Sequence, residues 1–370
     1  MAEKQRKVRY AVVGAGNIAQ VAVLPAFGHA GANSELVALI SSDEKKRDEL
    51  GRRYSVEHLG PYQEFERVVR EARAEAVYVS VPNHLHREWT ERAARCGLHV
   101  LCEKPMAATV AECQAMTRAT EQAGVRLMIA YRLHFEEANL GAIEKIHSGH
   151  IGDPRLFAAT LTQQVRPDDV RTRSSEAGGA LFDEGPYPIN AARYLFGAEP
   201  TEVFAFSNVG EDPRSNGVDE TTVALMRFPE GRLAQFMVSQ AAAGTTQFRV
   251  IGTKGDLRVE PAFDYVGERK HFLTVGGKTE VSSFPARDQF APELLYFSQC
   301  ILEGAEPEPS GEEGLADVRV IAALQESTRQ GRPVALPPFD RSRRPEPSQV
   351  LVRPPVEAPT PVDAPSPTAG

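Results

Sequence analysis

The side chains of this sequence with the greatest capacity for chemistry are Lys104, Asp183 and Tyr187. An ammonium, a carboxylate and a phenol can together hydrogen-bond a substrate hydroxyl and move its proton. Lys104 follows an apolar run at 99–102 that ends at Glu103, and this pattern predicts a buried strand. Because parallel α/β sheets bind ligands beyond the carboxyl ends of their strands, Lys104 is predicted to lie at the mouth of a cleft. The alternative is a surface ion pair with Glu103.

Asp183 and Tyr187 are four residues apart, within a helical pattern over 180–196. One helical turn would place both on the same face, where they could bind one substrate hydroxyl. The alternative is a tyrosine packed at a helix start, with Asp183 as the cap. Glycine and proline at 185–188 are expected to distort the beginning of this helix. The polar stretch 171–179 before it predicts a loop over the cleft.

A strand pattern at 8–13 runs directly into the letters GAGNIA and then into a helix-compatible run at 18–27. In such a GxGxxA motif the first glycine permits a tight turn, the second lets the backbone approach a pyrophosphate, and the small last residue allows close packing of helix on strand. The amides at the helix start then face the phosphates. This context predicts a dinucleotide site with contacts from Gly14, Gly16, Asn17 and Ile18.

The end of the second predicted strand, 36–40, bears on the choice between NAD and NADP. An NAD site usually places an acid there for the ribose hydroxyls. Here Ser41 and Ser42 follow the strand, and the next helix begins with the letters DEKKR at 43–47. Hydroxyls and a basic helix start favour the 2′-phosphate of NADP. The alternative is a helix cap from Ser42 or Asp43, and Asp43 keeps NAD open.

The remainder of the first 130 residues alternates strand and helix patterns, which predicts a doubly wound parallel sheet over 1–130. A strand pattern at 76–81 ends where a helix opens with Pro82, Asn83 and His86. These residues face the same sheet edge as Lys104, so we interpret them as cofactor contacts. The alternative for the histidine is a capping or packing role.

After residue 130 the pattern changes to short β-prone runs separated by turn residues, with helices at 137–148, 180–196, 294–302 and 315–330. This predicts an α+β domain over 131–339 whose mostly antiparallel sheet has helices on one face. An open sheet face commonly packs on a second subunit, so we expect a homodimer or homotetramer. Residues 340–370 are proline-rich and are expected to be a disordered or extended, solvated tail, with wrapping of a neighbouring subunit as the alternative.

Composition narrows the class of protein further. The net charge of −8 argues against nucleic acid or an anionic membrane as the main partner. The four cysteines form no CxxC pair and show no metal-ligand spacing, which suits buried thiols in a reducing compartment. Neither an apolar signal core nor a stretch of membrane-spanning length is present, so a cytoplasmic protein without a metal is expected.

Taken together, these motifs resemble the Gfo/Idh/MocA oxidoreductase family, and within it the branch of glucose–fructose oxidoreductase and related NADP-dependent aldose dehydrogenases. The resemblance covers most of residues 7–335. Many family members carry histidine at the position of Tyr187. A tyrosine at this position resembles the glucose–fructose oxidoreductase branch. The segments that carry the resemblance are GAGNIA, PNHLH, HVLCEKPMA, YRLHFEEAN and AGGALFDEGPYPINAARYLFG.

The resemblance implies an N-terminal Rossmann domain and a C-terminal domain with an open-faced sheet. It implies that Lys104 bonds both the substrate and the nicotinamide ribose, with Glu103 supporting it, and that Tyr187 is the catalytic acid/base. Asp183 matches the carboxylate that orients the substrate. Further implied contacts are Ser41 and Lys46 to the NADP 2′-phosphate, and Arg132 and Asn190 near the nicotinamide and the sugar.

The expected activity is therefore hydride transfer from C1 of an aldose, of glucose or xylose type, to NADP, which gives an aldonolactone. Tyr187 or Lys104 would take the C1 hydroxyl proton while the cofactor takes the hydride. Two alternatives are also enzymes: an oxidoreductase that retains its cofactor and couples aldose oxidation to ketose reduction, and a keto-sugar reductase. An alternative of another class is a regulatory protein that binds NADP(H) without turnover.

Overall fold

The computed structural model describes residues 6–167, 169–173, 178–209, 218–341 and 343–368. Part of the predicted cleft loop, residues 174–177, therefore lies outside the described residues. The chain builds two sheets in succession, each with its own helices.

The first sheet has six parallel strands in the spatial order β3-β2-β1-β4-β5-β6, the strands being β1 (Val8–Val13), β2 (Ser34–Ile40), β3 (His58–Gly60), β4 (Ala76–Val79), β5 (His99–Glu103) and β6 (Leu127–Ala130). All four residues of β4 and of β6 are buried, as expected for strands covered by helices on both faces. The strand order reverses between β1 and β4, and ligands of such sheets bind in the crevice at this point. The predicted doubly wound Rossmann sheet is confirmed.

Helices flank this sheet on both sides, namely α1 (Leu24–Ala26), α2 (Glu44–Tyr54), α3 (Phe65–Glu71), α4 (His86–Arg95) and α5 (Val110–Ala123). The segment after the glycine motif is irregular, since a π-helical turn at Ala19–Val23 precedes α1, which has Pro25 in its first turn. The segment that follows the glycine motif is therefore not one regular α-helix. Asp43 caps α2 by accepting a hydrogen bond from the Lys46 backbone amide at 3.0 Å.

The second sheet has nine strands in the order β14-β13-β12-β11-β7-β10-β9-β8-β15, which are β7 (Pro154–Gln164), β8 (Glu202–Asn208), β9 (Thr221–Arg227), β10 (Leu233–Ser239), β11 (Ala241–Gly252), β12 (Gly255–Glu260), β13 (Arg269–Val275), β14 (Lys278–Phe284) and β15 (Val334–Ala335). Among these pairs only β7 and β10 run parallel, so the sheet is mostly antiparallel, as predicted. The hairpin of β13 and β14 was not predicted. Its two-residue turn, Gly276-Gly277, has positive φ at both positions and is a recognisable hairpin signal.

The helices of the second half are α6 (Glu137–His147), α7 (Ala180–Asp183), α8 (Pro186–Phe196), α9 (Ala291–Glu303) and α10 (Gly311–Gln330). α8 and α10 bury apolar side chains such as Ile189 and Leu324 in the core of the second sheet. α9 instead packs Leu294 and Phe297 into the core of the first sheet, so the chain returns to its first half. Within the described ranges, none of the helices is long and apolar enough to cross a bilayer.

The face of the second sheet opposite α8 and α10 carries exposed apolar side chains. Phe206 is 68% exposed, Leu225 50% and Met237 45%, whereas their strand neighbours Ala205 and Phe236 are buried. This alternation is the period of two that a half-covered sheet requires. The predicted open face is therefore present.

A buried cluster of charges joins α8 to α10. The guanidinium of Arg193, with no exposed surface, lies 2.6 Å from carboxylate oxygens of both Glu199 and Glu313 and 2.5 Å from Asp317. Burial raises the pKa of Glu313, but Arg193 and Arg341 outweigh it and lower that pKa to about 2. The pKa of Asp317 is raised to about 7, mainly by burial. Arg193 is thus the charge on which this cluster depends.

The C-terminal segment differs from the expected solvated tail. Arg341 is buried and paired with Glu308 and Glu313. Further along, Val362 and Ala364 are only 6% and 7% exposed. Apart from a short 3₁₀ turn at Pro347–Gln349 it has little regular structure, in agreement with the extended alternative. The segment cannot build a core from its own residues. It packs because residues 6–335 provide an apolar core for its buried side chains and hydrogen-bond partners for its backbone.

Replacement of Arg193 by methionine should destabilise the protein strongly, because the buried Asp317 would lose its cation and Glu313 and Glu199 would each lose one of two. We expect the free energy of unfolding to fall by about 3–5 kcal/mol in urea titrations. The control is Arg227→Met, which removes an exposed pair with Glu202 and should cost less than about 1 kcal/mol. Equal losses in the two variants would contradict the role given to the cluster.

Candidate active site

Lys104 lies directly after β5, at the carboxyl edge of the first sheet. Its side chain is only 13% exposed, and its Nζ donates to the backbone oxygen of Asp183 at 2.8 Å and to the Oδ1 carboxylate oxygen of Asp183 at 3.2 Å. The neighbouring Glu103 carboxylate accepts hydrogen bonds from the Tyr78 hydroxyl at 2.9 Å and from the Lys104 backbone amide at 3.2 Å. Glu103 therefore supports the turn that presents Lys104, and its predicted place in the cofactor site stays a prediction.

Asp183 and Tyr187 both reach Lys104, although not from one continuous helix. α7 ends at Asp183 and α8 begins at Pro186, because a proline offers no amide to continue the helical hydrogen bonds. The Lys104 ammonium lies 4.7 Å from the centre of the Tyr187 ring, over its face. The structure thus brings together the three side chains singled out from the sequence, and it replaces the expected helical turn by a break at 184–185.

Arg132 is directed at Tyr187. Its Nη2 donates to the Tyr187 hydroxyl at 3.1 Å and to the backbone oxygen of Phe263 at 2.5 Å. Its Nη1 is held by the Gln289 side chain and by the backbone oxygen of Asp264. These protein acceptors hold both terminal nitrogens and direct Arg132 at Tyr187, and the nicotinamide contact of Arg132 stays a prediction.

Arg171 is a site residue that was not identified from the sequence. It lies in a 3₁₀ turn at Val170–Thr172, and its Nε is 2.8 Å from the Oδ2 carboxylate oxygen of Asp183. Asp169 fixes the guanidinium from the other side at 2.9 Å. The only sequence signal was the predicted loop over the cleft, since a basic residue in such a loop can pair with a carboxylate below it.

The charges of the site determine which groups can move a proton. Burial raises the pKa of Asp183, but the cations Arg171 and Lys104 outweigh burial and lower that pKa, so the carboxylate is ionised. For Lys104, burial lowers the pKa and the neighbouring Tyr187, Asp183 and Glu103 raise it, with a net rise that keeps the ammonium protonated. Lys104 is therefore a hydrogen-bond donor at neutral pH.

The neighbouring Glu184 is a different kind of carboxyl. Burial, followed by the charge of Asp183, raises its pKa well above the ordinary value. The side-chain amides of Gln163 and Gln240 donate to its two oxygens at 2.6 and 3.3 Å. Glu184 thus anchors the break between α7 and α8 to the second sheet without adding a charge to the site.

The glycine motif has the shape that a dinucleotide requires. Gly14 has a φ of +96°, and a Cβ there would lie 2.4 Å from the Ser80 backbone oxygen, so only glycine fits. At Gly16, by contrast, a Cβ would meet no atom within 4 Å, which leaves the backbone open to an approaching group. Asn17 and Ile18 begin the following helix. These residues fit a pyrophosphate at the helix start.

The end of β2 forms the opposite side of the crevice. Ser41 is buried and its Oγ accepts a hydrogen bond from the Asp43 amide at 3.3 Å, whereas Ser42 is exposed. The Lys46 ammonium lies 3.8 Å from the Asp43 carboxylate. The capping alternative for Asp43 is therefore present, and Lys46 lies beside it, where it could pair with a phosphate.

The remaining predicted contacts divide into two groups. Pro82 and Asn83 are half-buried at the start of a 3₁₀ turn after β4, at the same sheet edge. His86 is fully buried, with its ring nitrogens 2.9 and 3.0 Å from backbone oxygens of Pro105 and Val81. His86 packs between two chain segments, in agreement with the packing alternative, and its cofactor contact stays a prediction.

Asn190 is likewise placed away from the trio. Its side chain is buried, with Oδ1 2.7 Å from His134 Nε2, and its amide donates to Glu313 at 2.6 Å and to Asp317 at 3.2 Å. These buried partners give Asn190 a structural role, and its contact with the sugar stays a prediction.

Comparison with known proteins agrees with this architecture. A family model described as an oxidoreductase family with an NAD-binding Rossmann fold matches residues 8–131, and a GFO/IDH/MocA C-terminal domain model matches residues 139–258. The chain is 34% identical over 336 residues to D-xylose 1-dehydrogenase [NADP(+)] of Haloarcula marismortui, and the match covers 89% of this chain and 93% of the relative.

Solved structures give the same result. The aldose-aldose oxidoreductase from Caulobacter crescentus, complexed with glycerol, superposes with a TM-score of 0.85 at 38% identity and covers 90% of this chain and 100% of its own. The 3-ketoreductase KijD10 from Actinomadura kijaniata, in complex with NADP and TDP-benzene, gives a TM-score of 0.79 at 28% identity, covering 87% of this chain and 98% of its own. The chain described here therefore belongs to the Gfo/Idh/MocA oxidoreductase family.

Proposed function

We propose that this protein is an NADP-dependent sugar oxidoreductase that transfers a hydride between C1 of an aldose, of glucose or xylose type, and the nicotinamide, with an aldonolactone as the oxidised product. The observation that carries the proposal is the convergence of Lys104, Asp183 and Tyr187 at the carboxyl edge of a sheet whose glycine motif fits a dinucleotide. Relatives named as an NADP-dependent D-xylose dehydrogenase and an aldose-aldose oxidoreductase support the choice of an aldose.

The residues at the end of β2 favour NADP over NAD. In an NAD site the acid at this position binds the ribose hydroxyls. Here the Asp43 carboxylate instead accepts a hydrogen bond from the Lys46 backbone amide and so caps α2. Ser42 and Lys46 then remain at the helix start for a 2′-phosphate, beside the buried Ser41. When bound, the nicotinamide accepts or gives the hydride. Gly14, Gly16, Asn17 and Ile18 would hold the pyrophosphate, with Pro82 and Asn83 at the neighbouring strand end.

The trio gives each side chain a separate task toward the sugar. The ionised Asp183, fixed by Arg171 at 2.8 Å, accepts a hydrogen bond from a sugar hydroxyl and orients the ring. The protonated Lys104 donates to the C1 oxygen. Since Lys104 holds its proton, Tyr187 in its phenolate form takes the C1 hydroxyl proton during oxidation and returns it during reduction.

Arg132 and Lys104 surround the oxygen and the ring of Tyr187 with positive charge. Arg132 donates to the hydroxyl oxygen at 3.1 Å, and Lys104 lies 4.7 Å from the ring centre. Two fixed cations thus lie where they stabilise negative charge on this oxygen during the proton transfer. Burial of both cations strengthens this effect, because little water screens them.

A second candidate activity is an oxidoreductase that keeps its NADP and couples the oxidation of an aldose to the reduction of another sugar. The observation in its favour is that the C-terminal segment contacts Asn17 directly beside the glycine motif, where the Ala364 backbone oxygen accepts a hydrogen bond from the Asn17 side-chain amide at 2.8 Å. The two activities share one site and differ in whether the cofactor leaves between turnovers.

We also propose a homo-oligomer, a dimer or tetramer, formed through the open face of the second sheet. A second copy of this face is the occupant expected, because closed symmetric oligomers bury like patches against one another. A cytoplasmic location is part of the same proposal, and the free thiols Cys96, Cys102, Cys113 and Cys300 support a reducing compartment.

Replacement of Tyr187 by phenylalanine should lower kcat for aldose oxidation by about 10²- to 10⁴-fold, because the proton acceptor is removed. The dissociation constant for NADP should change little. Steady-state absorbance assays with glucose and xylose measure the first quantity and fluorescence titration the second, with Tyr54→Phe as the control. Near-normal turnover would eliminate Tyr187 as the acid/base, and NADP binding by the wild type without turnover on any sugar would favour a non-catalytic binding protein.

Replacement of Lys46 by glutamate should raise the dissociation constant for NADP by at least about tenfold and leave that for NAD nearly unchanged, since only NADP carries the 2′-phosphate. Arg52→Glu, an exposed charge reversal later in α2, is the matched control. Calorimetric titration of both cofactors gives the ratio directly. If the Lys46→Glu variant bound NAD and NADP more weakly by the same factor, Lys46 would not be the contact of the 2′-phosphate.

The double variant Leu225→Glu/Met237→Glu should convert the wild-type oligomer to monomers, because charges would enter the centre of the apolar face. Sedimentation equilibrium measures the mass of each species. Val352→Glu, which changes an apolar side chain 43% exposed on the C-terminal segment, should leave the mass unchanged. A monomeric wild type, or an oligomer that persists in the double variant, would contradict this assembly.

A further inference from the structure

We propose that residues 360–368, named here the strap, form the outer wall of the cofactor site and set the rate at which NADP leaves it. This inference rests on the proposed function insofar as the ligand of the crevice is NADP. Unlike that function, however, it concerns the release of the cofactor and not the chemistry at the trio.

The first anchor of the strap is a reciprocal pair of hydrogen bonds with Gln20. The Val362 amide donates to the Gln20 side-chain oxygen at 2.7 Å, and the Gln20 amide nitrogen donates to the Val362 backbone oxygen at 2.9 Å. The same Gln20 nitrogen donates to the backbone oxygen of Ala15, inside the glycine motif, at 2.9 Å. One buried side chain therefore ties the strap to the loop that would hold the pyrophosphate.

The Val362 side chain adds an apolar anchor. It is 6% exposed and packs in the same core as Val23 and Leu39 of the first sheet and its helices. Val352, earlier in the same segment, is 43% exposed and lacks such an anchor. The contrast between these two valines shows that the strap is held at 362 by burial as well as by hydrogen bonds.

On either side of Val362 the strap follows the rim of the crevice. Arg53 of α2 donates to the Thr360 backbone oxygen at 3.0 Å, and the Lys45 ammonium lies 2.9 Å from the Asp363 carboxylate. Asn17, directly after Gly16, then donates to the Ala364 backbone oxygen at 2.8 Å. The strap thus passes from the helix that begins at the proposed 2′-phosphate contacts to the glycine motif.

The far end of the strap reaches the second sheet. The Arg166 amide donates to the Pro367 backbone oxygen at 2.8 Å, and Val165 forms an isolated antiparallel bridge with Thr368. Both partners directly follow β7. The strap therefore links the first sheet to the second across the side of the crevice that holds Asn17, and a dinucleotide held by the glycine motif would lie beneath it.

The composition of the strap is suited to a segment that detaches from the protein and docks again. Three prolines, at 361, 365 and 367, restrict the free chain and so reduce the entropy lost when it docks. The docked strap is anchored by these hydrogen bonds, by the ion pair of Lys45 with Asp363 and by the apolar contact of Val362. Such a segment can detach locally without unfolding of the body, and release of a cofactor beneath it would require this step.

The test is the dissociation rate of NADPH from the full chain, measured by the fluorescence change when excess NADP displaces it. Val362→Asp places a charge in the apolar anchor and should speed dissociation by about tenfold or more. Val352→Asp is the matched control, since it makes the same change at an exposed position of the same segment, and it should stay within about twofold of the wild-type rate.

A second variant, Ala364→Asp, covers the case in which Val362→Asp does not fold. It crowds the contact with Asn17 at a position 7% exposed and should also speed dissociation by about tenfold. If Val362→Asp and Ala364→Asp released NADPH at the same rate as Val352→Asp, the proposed role of the strap would be overturned. Because the assay contains no sugar, this failure is distinct from a failure to oxidise aldoses, whereas a wild-type protein that does not bind NADPH would overturn both proposals.

Discussion

The pairing of Lys104 with Asp183 is the interaction on which the site depends. It joins the end of β5 in the first sheet to the end of α7 beside the second sheet, so it fixes both walls of the crevice relative to each other. A nearly buried ammonium and carboxylate are costly alone, and each is stabilised here by a further partner. Arg171 is a second cation that holds Asp183, and the Glu103 carboxylate accepts a hydrogen bond from the Lys104 backbone amide.

Two ionic clusters therefore serve different purposes in one molecule. Around Arg193 the guanidinium has no exposed surface and its partners Glu313 and Asp317 are at most 3% exposed, an arrangement suited to holding α8 against α10. Around Lys104 the side chains keep 13–18% of their surface, enough for a substrate hydroxyl to replace or share a contact. The difference in exposure separates a structural cluster from a reactive one, although both consist of basic side chains paired with carboxylates.

The sequence was informative wherever the decisive interaction is local. The glycine motif, the strand before Lys104 and the Asp43 cap depend on neighbours within a few residues, and their predicted positions agree with the structure. Arg171 and the partners of Arg132 could not be found in this way, because their contacts with Asp183 and Phe263 are set by tertiary packing. Asn190 shows the converse. Its place in the motif suggested a contact with the sugar, whereas its side chain bonds Glu313 of the distant helix α10.

The C-terminal segment shows why composition misled where motifs did not. Proline-rich, polar stretches are expected to be solvated because they cannot build a core of their own. The segment at 360–368 needs no core of its own. Gln20 bonds both backbone groups of Val362, and the Val362 side chain packs in the core of the first sheet. Its prolines, which prevent helices and strands, also limit the conformations that docking must exclude. The same composition is therefore compatible with a free tail or with a docked strap, and the partners on the body decide between them.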